Sequence, residues 1–120
     1  MARAVDLDAA IERSRRIVDD MMDRGTPLYL GSAATVLVTS LLERNGAGDP
    51  LIAQRTVERL AALPANSGRV YLELPILHLS ALVSQHRGDE AAYRDFADRY
   101  RTSSTALGFD AHIAIARAMR

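Results

Sequence analysis

The sequence predicts an all-α protein in which antiparallel helical hairpins stack as one domain of five to six helices across residues 1–120. Apolar residues recur at three- and four-residue steps in several segments, which is the spacing of one face of a helix. Start signals, aspartate or threonine before proline, alternate with stop signals, glycine or asparagine. No segment keeps the two-residue alternation of a half-buried strand, and aromatic residues account for only 5% of the chain.

The first two helices are predicted at residues 7–24 and 28–44. Asp6 is expected to cap the first helix, and Gly25 to end it in the left-handed conformation that glycine adopts readily. The second helix follows a threonine–proline pair and ends at Asn45. It is apolar nearly all round, so it must be covered on several sides.

The third helix is predicted at residues 50–63, and Asp49 before a proline marks its start. A fourth apolar helix is predicted at residues 70–87. Pro75 lies inside it and removes a backbone hydrogen bond, so the sequence indicates either a kink near this residue or a fresh helix start at Leu74.

The last predicted helices are the fifth, at residues 90–106 with Asp89 as its cap, and a short sixth at residues 110–119. The large apolar and aromatic side chains of these six helices are expected to form one shared interior. The predicted core contains Leu37, Leu41, Leu42, Val57, Leu60, Leu77, Leu82, Tyr93 and Phe96.

A repeat of about 40 residues relates the third helix to the fifth. Aligning Asp49 with Asp89 brings residues of the two helices into register, pairing Ala53 with Tyr93, Thr56 with Phe96, Val57 with Ala97 and Leu60 with Tyr100. Such hairpins stack because neither can bury its apolar face alone. The repeat therefore predicts a short right-handed solenoid.

Composition narrows the functional classes. The 15 basic residues balance the 15 acidic ones, so no broad field draws the domain to nucleic acid or to a membrane surface. All the basic residues are arginine, which removes chemistry that needs a lysine amine. The chain has no cysteine, no apolar leader and no apolar stretch of about 20 residues. These features favour a cytoplasmic protein.

Charged and polar side chains offer few candidates for a catalytic or metal site. His78 and His86 are eight residues apart, whereas a pair of zinc ligands on one helix is typically four apart. Four of the acidic residues have an arginine four residues further on, and such pairs contribute about 0.2–0.5 kcal/mol on an exposed helix. The predicted pairs are Glu12–Arg16, Asp20–Arg24, Glu90–Arg94 and Asp95–Arg99.

Five segments resemble the C-terminal part of large actinobacterial regulators: residues 1–11 (MARAVDLDAAI), 71–79 (YLELPILHL), 87–96 (RGDEAAYRDF), 98–101 (DRYR) and 106–114 (ALGFDAHIA). These regulators join a class III adenylate/guanylate cyclase domain or a LuxR-type DNA-binding domain to an AAA-type ATPase and a tetratricopeptide-like helical tail. The resemblance covers nearly the whole chain. It implies the role of the tail alone, because this sequence has none of the cyclase metal aspartates, the P-loop or the LuxR recognition helix.

The predicted function is therefore a non-enzymatic protein–protein interaction or regulatory domain of a cyclase- or LuxR-type regulator, with no cofactor or metal. Its expected partners are upstream ATPase or cyclase modules, or a second copy of itself. The alternative is a small ligand-binding or enzymatic helical bundle. Its pocket would lie around Glu73, which interrupts an apolar segment, and would be lined by Arg69, Tyr71, Glu73 and His78.

Apolar residues near both ends of the chain predict self-association. A repeat array normally ends in helices with a polar outer face. The first and sixth predicted helices instead contain Ile17, Val18, Met21, Met22, Ile113, Ile115 and Met119. Exposed apolar patches often mark protein contacts, and two-fold dimers are the commonest oligomers. We therefore expect the isolated chain to form a homodimer through one of these helices.

Overall fold

The computed structural model describes residues 2–24, 29–63, 72–107 and 119. These ranges contain five helices and no strand, which confirms the all-α class. The helices are α1 (Ala2–Arg24), α2 (Leu30–Arg44), α3 (Asp49–Ala61), α4 (Glu73–His86) and α5 (Glu90–Leu107). Helix α2 packs against α1, α3 and α4, while α4 also packs against α3 and α5. The predicted sixth helix lies outside the described residues, apart from Met119.

Helix α4 divides the interior into two apolar clusters. One face, with Leu72, Ile76, Leu79 and Val83, packs into a cluster shared with α1, α2 and α3. The opposite face, with Leu74, Leu77 and Ala81, packs into a second cluster with α5 and Met119. The two sets are about 160° apart at 100° per residue. This position explains why the helix is apolar on more than one side.

The predicted core is largely the observed one. Six of its members are buried, at 8% exposure or less: Leu37, Leu41, Val57, Leu60, Leu77 and Tyr93. Leu42, Leu82 and Phe96 are only partly buried and pack at the edges of the two clusters. These three side chains, on α2, α4 and α5, are therefore covered by neighbouring residues on only part of their surface.

Helix starts account for most of the differences from the predictions. Asp6 does not cap α1, because the helix already begins at Ala2. Alanine is a strong helix former, so Ala2 favours this earlier start. Helix α2 begins at Leu30, and residues 25–28, which hold the predicted signals, lie outside the described part. Helix α4 begins at Glu73, so Pro75 occupies its first turn, where proline is tolerated. The alternative of a fresh start is thus correct to within one residue.

Close contact between α2 and α4 depends on a glycine. A Cβ atom added to Gly31 would lie 3.0 Å from Cγ of Pro75 and 3.6 Å from Cδ2 of Leu72. A side chain at this position would therefore push the two helices apart. Pro75 thus has two roles, since it sits in the first turn of α4 and packs on the backbone of α2.

The 40-residue repeat is visible in the burial of α3 and α5. The aligned positions are buried in both helices, except that Phe96 is only partly buried; the pairs are Ala53 and Tyr93, Thr56 and Phe96, Val57 and Ala97, and Leu60 and Tyr100. Asp89 caps α5 as predicted, since its Oδ1 accepts a hydrogen bond of 3.1 Å from the backbone N–H of Ala92. Its counterpart Asp49 behaves differently.

Candidate interaction groove between α1 and α3

Asp49 binds the last residue of the preceding helix instead of capping its own. It is the first residue of α3, and Gly48 is the N-cap. Its carboxylate accepts two hydrogen bonds of 2.7 Å from Arg44, at the end of α2, and one of 2.9 Å from the backbone N–H of Gly46. Asp49 is only 2% exposed. The predicted capping role is therefore wrong, because the tight turn brings the Arg44 guanidinium closer than the free N–H groups of α3.

Arg44 also reaches α1, where its Nη1 donates a hydrogen bond of 2.8 Å to the carboxylate of Asp8. The hydrogen bonds from Arg44 lower the pKa of Asp49, although burial of the carboxylate opposes this shift. The same bonds raise the pKa of Arg44, with Asp49 as the largest cause and Asp8 as the next. One arginine thereby joins α1, α2 and the start of α3.

Two left-handed residues allow the chain to reverse between α2 and α3. Asn45 ends α2 with φ of 51°, and its backbone N–H binds the carbonyl of Leu41. Gly48 has φ of 82°. Asparagine and glycine tolerate this region better than other residues. The Gly46–Gly48 segment is thus a turn, as predicted, and it lays α3 close to α1.

An open groove runs between α1 and α3, which we call the α1–α3 groove. It has a larger and a smaller part, and Arg15 and Asp19 line both. The larger part, near Arg44, has a volume of about 480 Å³. The smaller part has a volume of about 230 Å³, and its floor is formed by Leu37, Ile52 and Thr56. The groove therefore has an apolar base between two charged walls.

The walls of the α1–α3 groove are more basic than acidic. Five arginines line it, Arg15, Arg16, Arg44, Arg55 and Arg59, against three acids, Asp8, Glu12 and Asp19. Each acid is held by a different arginine: Asp8 by Arg44 at 2.8 Å, Asp19 by Arg59 at 2.9 Å, and Glu12 by Arg16. Within the described part of the chain, Arg15 and Arg55 form no ion pair. The smaller part of the groove thus has two uncompensated guanidinium groups.

The residues predicted as an interaction surface are mostly not exposed. Ile17 is 39% exposed, whereas Met21 and Met22 are partly buried against the main cluster. Val18 and Met119 are buried, at 0% and 8% exposure. Val18 follows Ile11 by two turns, on the side of α1 that enters the main cluster. Ile113 and Ile115 lie outside the described residues.

The predicted pocket around Glu73 is not assembled by the described residues. Glu73 is exposed in the first turn of α4. His78 is partly buried and stacks on Tyr100, with ring centroids 5.2 Å apart and an interplanar angle of 14°. Five residues on a helix turn through about 140°, so the two side chains leave α4 in different directions. Arg69 and Tyr71 lie outside the described residues.

The sequence did not single out Arg15 and Arg55, although it contains a signal for them. Arg15 and Asp19 are four residues apart on α1, and Arg55 and Arg59 are four apart on α3, so each pair shares one helix face. From the sequence alone, helix faces that carry such charged pairs are expected to be solvated. That α1 and α3 face each other across α2 follows only from the packing.

The part of the chain that the structure describes contains neither a metal-ligand cluster nor a membrane-spanning helix. In residues 2–24, 29–63 and 72–107, no three histidine or acidic side chains are grouped as metal ligands would be. None of the helices in these ranges combines the length and apolar character needed to cross a bilayer. Comparison of the chain with protein-family models, curated proteins and solved structures yields no match.

Proposed function

We propose that this domain is a protein-interaction module that binds a segment of another protein in the α1–α3 groove. The observation that carries the proposal is the groove itself, where the partly buried Ile52 lies between charged walls and the buried Leu37 lies at the base. Protein interfaces have this organisation, an apolar centre inside a polar rim, and arginine is enriched in them. Such a groove excludes water from its centre while the rim selects the partner.

The hairpin arrangement supports the same role. Helices α2 and α3 form one hairpin and α4 and α5 the next, and α2 also contacts α4. We propose that this arrangement is a short TPR-like right-handed solenoid. Repeat arrays of this kind present extended surfaces to their partners. The buried register shared by α3 and α5 favours this interpretation.

The biological setting is proposed from the sequence resemblance. In this view the domain is the helical tail of a cyclase- or LuxR-type regulator, and the bound segment belongs to an ATPase or cyclase module. Reading the coding sequence on both sides of this chain tests the setting. A cyclase, ATPase or LuxR-type domain encoded in the same reading frame would support it, and an unrelated neighbouring domain would contradict it.

Unbiased peptide selection tests the interaction module. Twelve-residue peptides of random sequence are selected on the folded 120-residue chain. The binders are then titrated into nitrogen-15-labelled protein, and amide shifts are followed by NMR. We expect the largest shifts at Ile52, Thr56 and Arg15, which line the groove. Peptides that shift only residues of α5, or a selection without specific binders, would contradict the proposal.

A matched pair of variants separates binding from folding. Arg59→Gln alters the groove wall, and Arg94→Gln alters a more exposed arginine on α5 that lies away from the groove. Both arginines form exposed ion pairs, so each substitution should change the free energy of unfolding by less than about 1 kcal/mol. We expect Arg59→Gln to weaken the selected peptides and Arg94→Gln to leave their affinity unchanged.

A further inference from the structure

We infer that the segment bound in the α1–α3 groove is acidic, with two carboxylates that pair with Arg15 and Arg55 and an apolar side chain between them. This inference rests on the proposed function and specifies its partner. Arg15 is on the α1 wall and Arg55 on the α3 wall, and both line the part of the groove whose volume is about 230 Å³. A segment lying along the groove would thus meet a guanidinium on either side.

The other arginines of the groove are already occupied. Arg59 binds Asp19 at 2.9 Å, and Arg44 binds both Asp8 and Asp49. Arg15 and Arg55 have no such acceptor within the described residues. Two cations that face one cavity repel each other, and an anion between them removes this repulsion. The planar guanidinium also matches a carboxylate, to which it can donate two parallel hydrogen bonds.

The base of the groove favours a peptide over a nucleic acid. Ile52, which is only partly buried, offers apolar surface to a side chain, and a phosphate backbone cannot use such a surface. The larger part of the groove also contains Asp8 and Glu12, which would repel a continuous line of phosphates. A peptide can place carboxylates beside Arg15 and Arg55 and neutral residues elsewhere. The chain as a whole has no net charge to attract a polyanion.

Titration with designed peptides tests the inference on the full chain. The probe is a twelve-residue peptide, blocked at both ends, with glutamate at every fourth position among alanine and leucine, and its control has glutamine at the same positions. Binding is followed by NMR at the backbone amide of Ile52 and at the side-chain Nε–H groups of Arg15 and Arg55. We expect the glutamate peptide to bind about tenfold more tightly, because two exposed ion pairs contribute up to about fivefold each. Added salt should reduce the difference.

Three arginine variants locate the effect. Arg15→Gln and Arg55→Gln should each weaken the glutamate peptide by about threefold to fivefold, and the double variant by about tenfold or more. Arg13→Gln is the matched control, because Arg13 is also exposed on α1 but does not line the groove. It should change the affinity by less than about twofold. Circular dichroism checks that each variant remains helical.

Several outcomes would overturn the inference. Equal affinity for the glutamate and glutamine peptides would do so, as would a loss in Arg13→Gln as large as that in the double variant. Displacement of the peptide by inorganic phosphate at equal concentration, or by a short DNA duplex, would assign the groove to phosphate instead. If selected peptides bind the groove but are not acidic, the proposed interaction module is supported and only the inference of an acidic partner is contradicted. If no peptide of either charge shifts Ile52, the proposed function fails as well.

Discussion

The Arg44 guanidinium and the Asp49 carboxylate form two parallel hydrogen bonds of 2.7 Å, Nε to Oδ2 and Nη2 to Oδ1. The two residues lie on either side of the turn between α2 and α3. The Asp49 side chain is only 3% exposed, whereas that of Arg44 is 35% exposed. Since Arg44 also binds Asp8, this arginine links α1 to the start of α3 and lines one end of the α1–α3 groove.

Replacing Asp49 should destabilise the fold more than replacing its counterpart in the repeat. Asp49→Asn keeps the size of the side chain but turns an amide N–H₂ toward a hydrogen-bond donor. We expect a loss of about 2 kcal/mol in the free energy of unfolding, measured with urea. Asp89→Asn is the control and should change it by less than about 0.5 kcal/mol, because asparagine caps helices as well as aspartate does. Equal losses in the two variants would contradict a special role for Asp49.

Acid should weaken the protein partly through the same carboxylate. The pKa of Asp49 is lowered from its ordinary value of 3.8, chiefly by the hydrogen bonds from Arg44. A lowered pKa stabilises the folded state above the unfolded pKa, and this contribution is lost as the pH falls through the folded value. We expect the unfolding free energy to fall below about pH 4, and to fall less in Asp49→Asn. Urea titrations at several pH values measure this, and parallel profiles for the two proteins would contradict the prediction.

Alkaline conditions should act through Tyr100, which is fully buried and stacks on His78. Burial raises the pKa of Tyr100 to about 12. Because the unfolded phenol ionises near pH 10, the stabilisation is complete below that pH and is lost as the pH rises toward the folded value. Ultraviolet titration should show the late ionisation of Tyr100. Tyr100→Phe should remove it, while Tyr29→Phe should leave it in place. A late transition that persists in Tyr100→Phe would refute the assignment.

The contact between α2 and α4 should not tolerate a branched side chain at Gly31. A Cβ there already lies 3.0 Å from Cγ of Pro75, so Gly31→Val must separate the helices. We expect a loss of about 2 kcal/mol in thermal or urea unfolding, which is typical of overpacking. Ser32→Val adds the same branching at the neighbouring exposed position and should change stability by less than about 1 kcal/mol. A Gly31→Val protein as stable as Ser32→Val would show that the helices are not held this closely.

Self-association through α1, predicted from the sequence, now depends on Ile17. This residue is 39% exposed, while its neighbour Val18 is 0% exposed. If α1 forms the dimer contact, Ile17→Glu should convert the dimer to a monomer and keep the fold, as measured by sedimentation equilibrium. Val18→Glu should unfold the chain, because it buries a charge without a partner. A single chain mass for the unaltered protein at hundreds of micromolar would contradict self-association.

Local features of the sequence predicted local structure well. The stop at Asn45, the cap at Asp89 and the restart of the helix near Pro75 each depend on the backbone preferences of one or two residues. The four predicted pairs four residues apart are also present: Glu12–Arg16, Asp20–Arg24, Glu90–Arg94 and Asp95–Arg99. Helical geometry alone brings such residues together, whatever the rest of the fold does.

The sequence by itself thus determined the all-α class, the C-terminal ends of α1, α2, α4 and α5 to within one residue, and part of the core, because these follow from periodicity and from backbone preferences along a single helix. Only the tertiary structure decided which charged faces meet. Arg44 with Asp8, and Arg59 with Asp19, join residues 36 and 40 positions apart. The α1–α3 groove exists because α1 and α3 both pack against α2, and within the described residues Arg15 and Arg55 line it without an ion pair. That arrangement depends on the summed packing of many side chains, and no spacing within one helix encodes it.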